Sequence, residues 1–214
     1  MFFLMIVGII YVEQGQRRIP IQFAKRVRGR KVMGGQSTYI PLKVNSAGVI
    51  PVIFATSVLF FPALIATSLP QDNNITAGIR NWIDVNLANS QGTSWFYIFF
   101  LGMLIIFFTY FYTTIQFDPV RQSDMIRRQG GFVPGVRPGI STTNYLSHII
   151  SRITLPGSVF LASVAVLPSI ASAIWDIPLG FSGISILITV GVALETMKQI
   201  ESQLSMRNYE GFVD

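Results

Sequence analysis

Three groups of residues in the 214-residue sequence have types and spacings that could do chemistry. The first is Ser182, within Gly180-Phe181-Ser182-Gly183. A serine among small residues at the start of an apolar run is the setting of an intramembrane nucleophile, whose reaction would be acyl transfer. That reaction needs a histidine base within hydrogen-bond reach. The single histidine, His148, falls in a linker that the topology below puts on the other side of the membrane, so the residues favour a plain helix start. The second is Glu195, a carboxylate close to the last hydrophobic run. Inside a membrane it would couple protons or ions. Lys198 follows about one turn later, and an ion pair emerging at a helix end is the simpler expectation.

The third group is cationic. Eight of the sixteen Lys and Arg residues lie between Arg17 and Lys43, seven of them within the fifteen residues 17–31, and no acid interrupts them. Such density attracts phosphate, from ribosomal RNA or from anionic headgroups. Arg137 differs, because it sits between Pro-Gly pairs in Phe132-Val-Pro-Gly-Val-Arg-Pro-Gly139, a compact turn suited to one positioned contact. No Gly-x-x-x-x-Gly-Lys loop, His-Glu-x-x-His site or cysteine is present, so ATP hydrolysis, metalloproteolysis and thiolate chemistry have no visible equipment. No catalytic residue, metal or cofactor is expected, and the chain does not read as an enzyme.

The elements that position these groups follow from composition. Half of the residues are hydrophobic, only 12% are charged, and the mean hydropathy is +0.52, far beyond what one soluble core uses. The expected fold is an all-α membrane protein, a polytopic helix bundle with a cytoplasmic β-hairpin loop. The net charge of +6 is concentrated in two loops. Loops rich in Lys and Arg stay on the cytoplasmic side, which fixes the topology.

Residues 1–12 read as a partial transmembrane helix: the apolar run is too short to span and lacks the basic start and cleavage site of a signal peptide. Residues 13–46 form the basic hairpin loop, with Ile19, Ile21 and Phe23 on one arm and Ile40, Leu42 and Val44 on the other alternating with polar or proline positions. Pro20 and Pro41 belong on its outward edges. Spans are expected at 47–69, 95–116, 154–174 and 181–200, with an external loop at 70–94, a cytoplasmic loop at 117–153 and a cytoplasmic tail at 201–214. Pro62 and several hydroxyls make the 47–69 helix a candidate for motion. Asp118-Pro119 reads as a helix cap and first turn, and Gly130-Gly131 as that helix's stop. Lys and Arg number eight, five and two in the inner segments against one and none outside.

Four stretches resemble one family: Glu13-Gln-Gly-Gln-Arg-Arg-Ile19, Gln36-Ser-Thr-Tyr-Ile-Pro-Leu-Lys-Val-Asn45, Ala47-Gly-Val-Ile-Pro51 and Phe132 to Gly139 are similar to the SecY subunit of the bacterial protein-conducting channel, in that family's order. The resemblance covers essentially the whole chain but only the family's C-terminal half, from the end of the sixth transmembrane helix to the tenth. It implies a role in the Sec pathway, translocating unfolded preproteins across the bacterial cytoplasmic membrane and releasing membrane helices laterally into lipid. Ile53 and Ile188 match the apolar pore ring. Asn45, Thr56 and Ser57 match the lateral gate, whose lining helix would be 47–69. Arg28, Arg30, Lys31 and Arg137 match positions that dock the ribosome, near the rRNA of its exit tunnel, or the SecA motor. The implied partners are the SecE and SecG subunits, SecA, the ribosome, signal sequences, nascent polypeptides and membrane lipid. The half bearing the plug and the partner gate helices is missing from the match, so this stretch alone is not expected to conduct polypeptide. The alternative is an ion- or proton-coupled secondary transporter, which rests on Glu195.

Overall fold

The structure, a computed structural model, describes residues 2–23, 26–28, 31–33, 37–68, 74–87, 94–175 and 182–210. Its helices are α1 (Phe2–Gln14), α2 (Ile50–Ser68), α3 (Asn74–Asn86), α4 (Trp95–Gln116), α5 (Pro119–Arg128), α6 (Ile140–Trp175) and α7 (Gly183–Glu210). Its strands are β1 (Gln16–Phe23), β2 (Arg26–Arg28), β3 (Lys31–Met33), β4 (Ser37–Lys43) and β5 (Gly131–Phe132). Among the described residues four helices, α2, α4, α6 and α7, are long and apolar enough to cross a membrane. Connectivity then gives the bundle two ends. One carries the sheet, and the other carries α3 and the start of α7.

The bundle core is built where α4 lies against α6 and α2, with α7 against α6 and α1. Val52, Ala55, Leu101, Ile105, Leu161, Ala165 and Leu187 fill it. Small residues recur at these contacts, as expected where helices associate by close packing in lipid rather than by expulsion of water. The outward faces carry Phe60, Phe61, Phe99, Met103, Phe107 and Phe111, all exposed, the surface that suits an apolar solvent.

A second, smaller core sits beneath the sheet. β1 pairs antiparallel with β4 in the register Ile19↔Ile40, and β5 adds to the other side of β1 through Gln22↔Phe132. The period-two pattern buries Ile19 and Ile21 while Arg18, Pro20 and Gln22 stay exposed. These two isoleucines meet Leu42, Ile126, Val133, Leu146 and Ile149. Pro41 lies on edge strand β4, and Pro20 lies on β1 beyond the reach of the short β5, so neither missing N–H removes a ladder bond.

α6 carries the first core into the second. With 36 residues it is about 54 Å long at ~1.5 Å per residue, well beyond a ~30 Å hydrocarbon layer. Its first turns therefore stand outside the membrane, where Leu146 and Ile149 support the sheet. The expected loop 70–94 thus holds more helix than the sequence suggested, since it contains α3, whereas the helix expected after Asp118-Pro119 is α5, which shares 117–153 with the start of α6. α7 likewise runs past residue 200 to Glu210. Asp118 caps α5, its Oδ1 accepting from Val120 N at 2.9 Å and Arg121 N at 3.4 Å.

Candidate functional site

The segment leading into α2, residues 44–49, is held from three sides. From the end of α1, Glu13 Oε2 accepts from the Asn45 amide at 2.9 Å, and the next residue but one, Gly15, accepts at its carbonyl O from Val44 N at 3.0 Å. From α6, Gly157 lies so close that a Cβ on it would sit 2.7 Å from Val44 O. From α7, a Cβ on Gly191 would sit 3.0 Å from Val49 Cγ1. Asn45 is only 5% exposed and also donates to Gly48 O at 3.2 Å, closing the turn that starts α2. Because a carboxylate only accepts, the amide must turn its NH2 toward Glu13. Asn45 Oδ1 is left buried with no hydrogen-bond partner among the described residues. A pocket of about 160 Å³ adjoins this joint, lined in part by Glu13, Lys43, Gln116, Glu195 and Lys198.

Beyond the joint, α2 presents a mixed face. Ile53, in its first turn, is 44% exposed. Thr56 Oγ1 donates to Val52 O and Ile53 O, and Ser57 Oγ donates to Ile53 O at 2.8 Å, so both hydroxyls are satisfied within the helix. Such back-bonding lets hydroxyls sit in an apolar span. Thr56 and Ser57 line an open cavity of about 500 Å³ with Leu59, Phe60, Leu87, Tyr97, Ser182 and Ile184. The structure therefore brings Thr56, Ser57 and Ser182 round one space. Asn45 is absent from that lining and is spent at the sheet end on α1. Ile188 lies on α7, partly buried.

Ser182 is the cap of α7. Its Oγ accepts from Ser185 N at 3.2 Å and lies 3.0 Å from Ser185 Oγ, while its carbonyl takes the first helical bond from Ile186 N. His148 lies on α6 among the turns that support the sheet, at the other end of the bundle. Ser182→Ala should lower stability by about 0.5–2 kcal/mol, the cost of a lost cap. A thermal melt of the detergent-solubilised protein checks it.

The expected Glu195–Lys198 ion pair does not form. Among the described residues the ion pairs are Arg80–Asp84 and Asp118–Arg121. Glu195 and Lys198 are both exposed at the rim of the polar pocket, where solvation competes with pairing.

On the sheet end, Arg28 and Lys31 are register partners across β2 and β3, and Arg30 lies outside the described residues. The Arg137 loop is fixed by its backbone. Thr142 Oγ1 donates to Arg137 O at 3.0 Å, Ser123 Oγ donates to Gly139 O at 3.1 Å, and Val136 N donates to Val133 O at 3.1 Å. Gly135 and Gly139 hold φ of +83° and +111°, closing the turn on either side. Arg137 itself is exposed and forms no ion pair among the described residues. A rigid turn thus presents a free guanidinium, with exposed Arg127 and Arg128 at the end of α5.

A helix bundle with a small sheet at one end, where one of its helices is clamped, has counterparts among solved structures. One described as a protein-conducting channel aligns with a TM-score of 0.63 over 99% of this chain and 50% of that one, at 17% identity. Another, in which the SecY plug domain is described as stabilising the closed translocation channel, gives 0.60 over 100% and 51%, at 16% identity. The chain shares the fold of about half of each of these structures. The SecY family model matches residues 1–197. Protein translocase subunit SecY of Streptomyces coelicolor is 53% identical over 213 residues, covering 98% of this chain and 47% of the relative. That of Mycobacterium bovis is 49% identical over 218 residues, covering 98% and 48%. The chain belongs to the SecY family, as a multi-pass membrane protein. It spans about half the length of the curated relatives it matches. The coupled-transporter alternative finds no support: the relatives are translocase subunits, and Glu195 is exposed near the sheet end of α7.

Proposed function

We propose that this chain supplies the C-terminal half of a Sec protein-conducting channel, with the sheet end facing the cytoplasm of a bacterial cell. The observation that carries the reading is the 53% identity to a SecY subunit over 98% of the chain. The geometry adds to it. α2 is clamped at its sheet end and exposes Ile53 just beyond the clamp, the arrangement of a gate helix that moves about a fixed joint. Ile53 and Ile188 form part of an apolar ring, since aliphatic side chains seal around a passing chain without selecting its sequence. Thr56 and Ser57 belong to the lateral gate facing signal sequences. Asn45 serves the gate by holding its hinge rather than by touching substrate. The partners are SecE and SecG subunits, SecA, the ribosome, nascent polypeptide and lipid, and the energy comes from those motors.

Arg28, Arg30, Lys31 and Arg137 form the docking surface, and phosphate is the chemistry they fit. The positive-inside rule puts this surface in the cytoplasm. In co-sedimentation of ribosomes with the assembled channel, charge reversal of Arg30 and Lys31 should weaken binding. It should also flatten the salt dependence by roughly 0.7–0.9 log units per log unit of salt for each phosphate that is no longer neutralised. Wild-type binding that ignores salt would contradict the docking assignment.

A further inference from the structure

We infer that α3 is an interfacial anchor: its outward apolar stripe, Ile79, Trp82 and Val85, docks into the headgroup region of the phospholipid leaflet at the membrane face opposite the sheet. At 13 residues α3 is about 20 Å long, too short to cross a ~30 Å hydrocarbon layer. It follows α2 directly and precedes α4, so it lies where those two spans leave the membrane. Ile83 on its inner side and Leu87 just past its end are half-buried. Ile79, Trp82 and Val85 occupy the neighbouring side at about 100° per residue and remain exposed, Trp82 at 52%. Asn81 and Asp84 take the remaining side, facing water.

Lipid is the occupant because this stripe continues a surface that already faces lipid. Trp82 packs edge-on against Phe96 of α4, ring centroids 5.6 Å apart. Phe96 stacks on Phe100 at 5.9 Å, and exposed Phe99, Met103, Phe107 and Phe111 extend the same span. Trp95, also exposed, opens α4 at this level, and tryptophans gather where the chain crosses from headgroups to acyl chains. The charges of α3 cancel, Arg80 lying 3.8 Å from Asp84, so docking depends on apolar burial and not on anionic lipid. An anchor here would fix the far end of α2, whose near end is clamped by the joint at residues 44–49.

The chain has no cysteine, so one introduced cysteine is a unique labelling site. A nitroxide is placed at Ile79→Cys, Val85→Cys or Asn81→Cys in the full chain, reconstituted into phosphatidylcholine vesicles. Collisions with oxygen, which partitions into lipid, and with a water-soluble nickel chelate are then compared. The expected result is a several-fold higher oxygen-to-chelate ratio at 79 and 85 than at 81, with a depth of about 5–10 Å below the headgroup boundary. Equal chelate access at all three positions overturns the proposal and leaves α3 in water. Protection of 79 and 85 from both reagents also overturns it, by showing a protein partner on the stripe.

Discussion

Replacing Gly183 by valine should unseat α7 from α6. A Cβ at this position runs into the carbonyl oxygen of Val164 and would sit 2.9 Å from Ala165 O and Pro168 Cδ. These are backbone and ring atoms of a buried helix and have no flexible end to swing away. Overpacking costs about 1–3 kcal/mol when side chains can adjust, and here the cost should reach the top of that range or exceed it. The loss falls where Ser182 caps α7, so the helix start should fray and become a protease site. Gly78→Ala is the matched control, with open space around the added methyl on exposed α3. It should leave stability unchanged or raise it by up to ~1 kcal/mol. Melting of the detergent-solubilised protein and limited proteolysis separate the two. Equal melting of Gly183→Val and wild type would show that α6 and α7 are not packed as described.

Asn45→Asp should be strongly damaging although it is isosteric. The wild-type amide gives one N–H to Glu13 at 2.9 Å and another to Gly48 O at 3.2 Å. Aspartate removes both donors and places a second carboxylate against the first, at a residue only 5% exposed. Leaving a buried group unpaired costs about 1–3 kcal/mol, and an uncompensated buried charge about 3–5 kcal/mol. Asn45→Asp with Glu13→Gln restores a donor-acceptor pair, now donated from residue 13. Rescue by this double variant identifies the hydrogen bond, and failure of rescue would show that the Asn45–Glu13 bond is not what holds the joint.

What the sequence made legible was periodic or local. Alternation exposed the β1–β4 pairing because Ile19 and Ile21 must share a face, and Asp118-Pro119 announced α5 because a cap acts within one turn. The α2 span was legible from its length and apolar composition. The joint was not, since Glu13 and Asn45 are 32 residues apart and nothing local links them. The amide of Asn45 is turned to Glu13 of α1, a partner that no local pattern reveals. β5, two residues long, left no period to read. α3 hid in a segment whose polar side and short length resemble a loop, although Ile79, Trp82 and Val85 were its signal. The Glu195–Lys198 spacing was legible as a pair, but spacing says nothing about whether water competes, and at an exposed rim it does.

The most direct measurement is photo-cross-linking from residues 53 and 188 in the assembled channel, engaged with a stalled secretory precursor. Residue 107, exposed on α4 among other phenylalanines, serves as the lipid-facing reference. A photoreactive amino acid at Ile53 or Ile188 should join the precursor, while one at Phe107 should join lipid or nothing. If 53 and 188 give no more precursor adduct than 107, α2 and α7 do not line the path of the translocating chain, and the half-channel account fails.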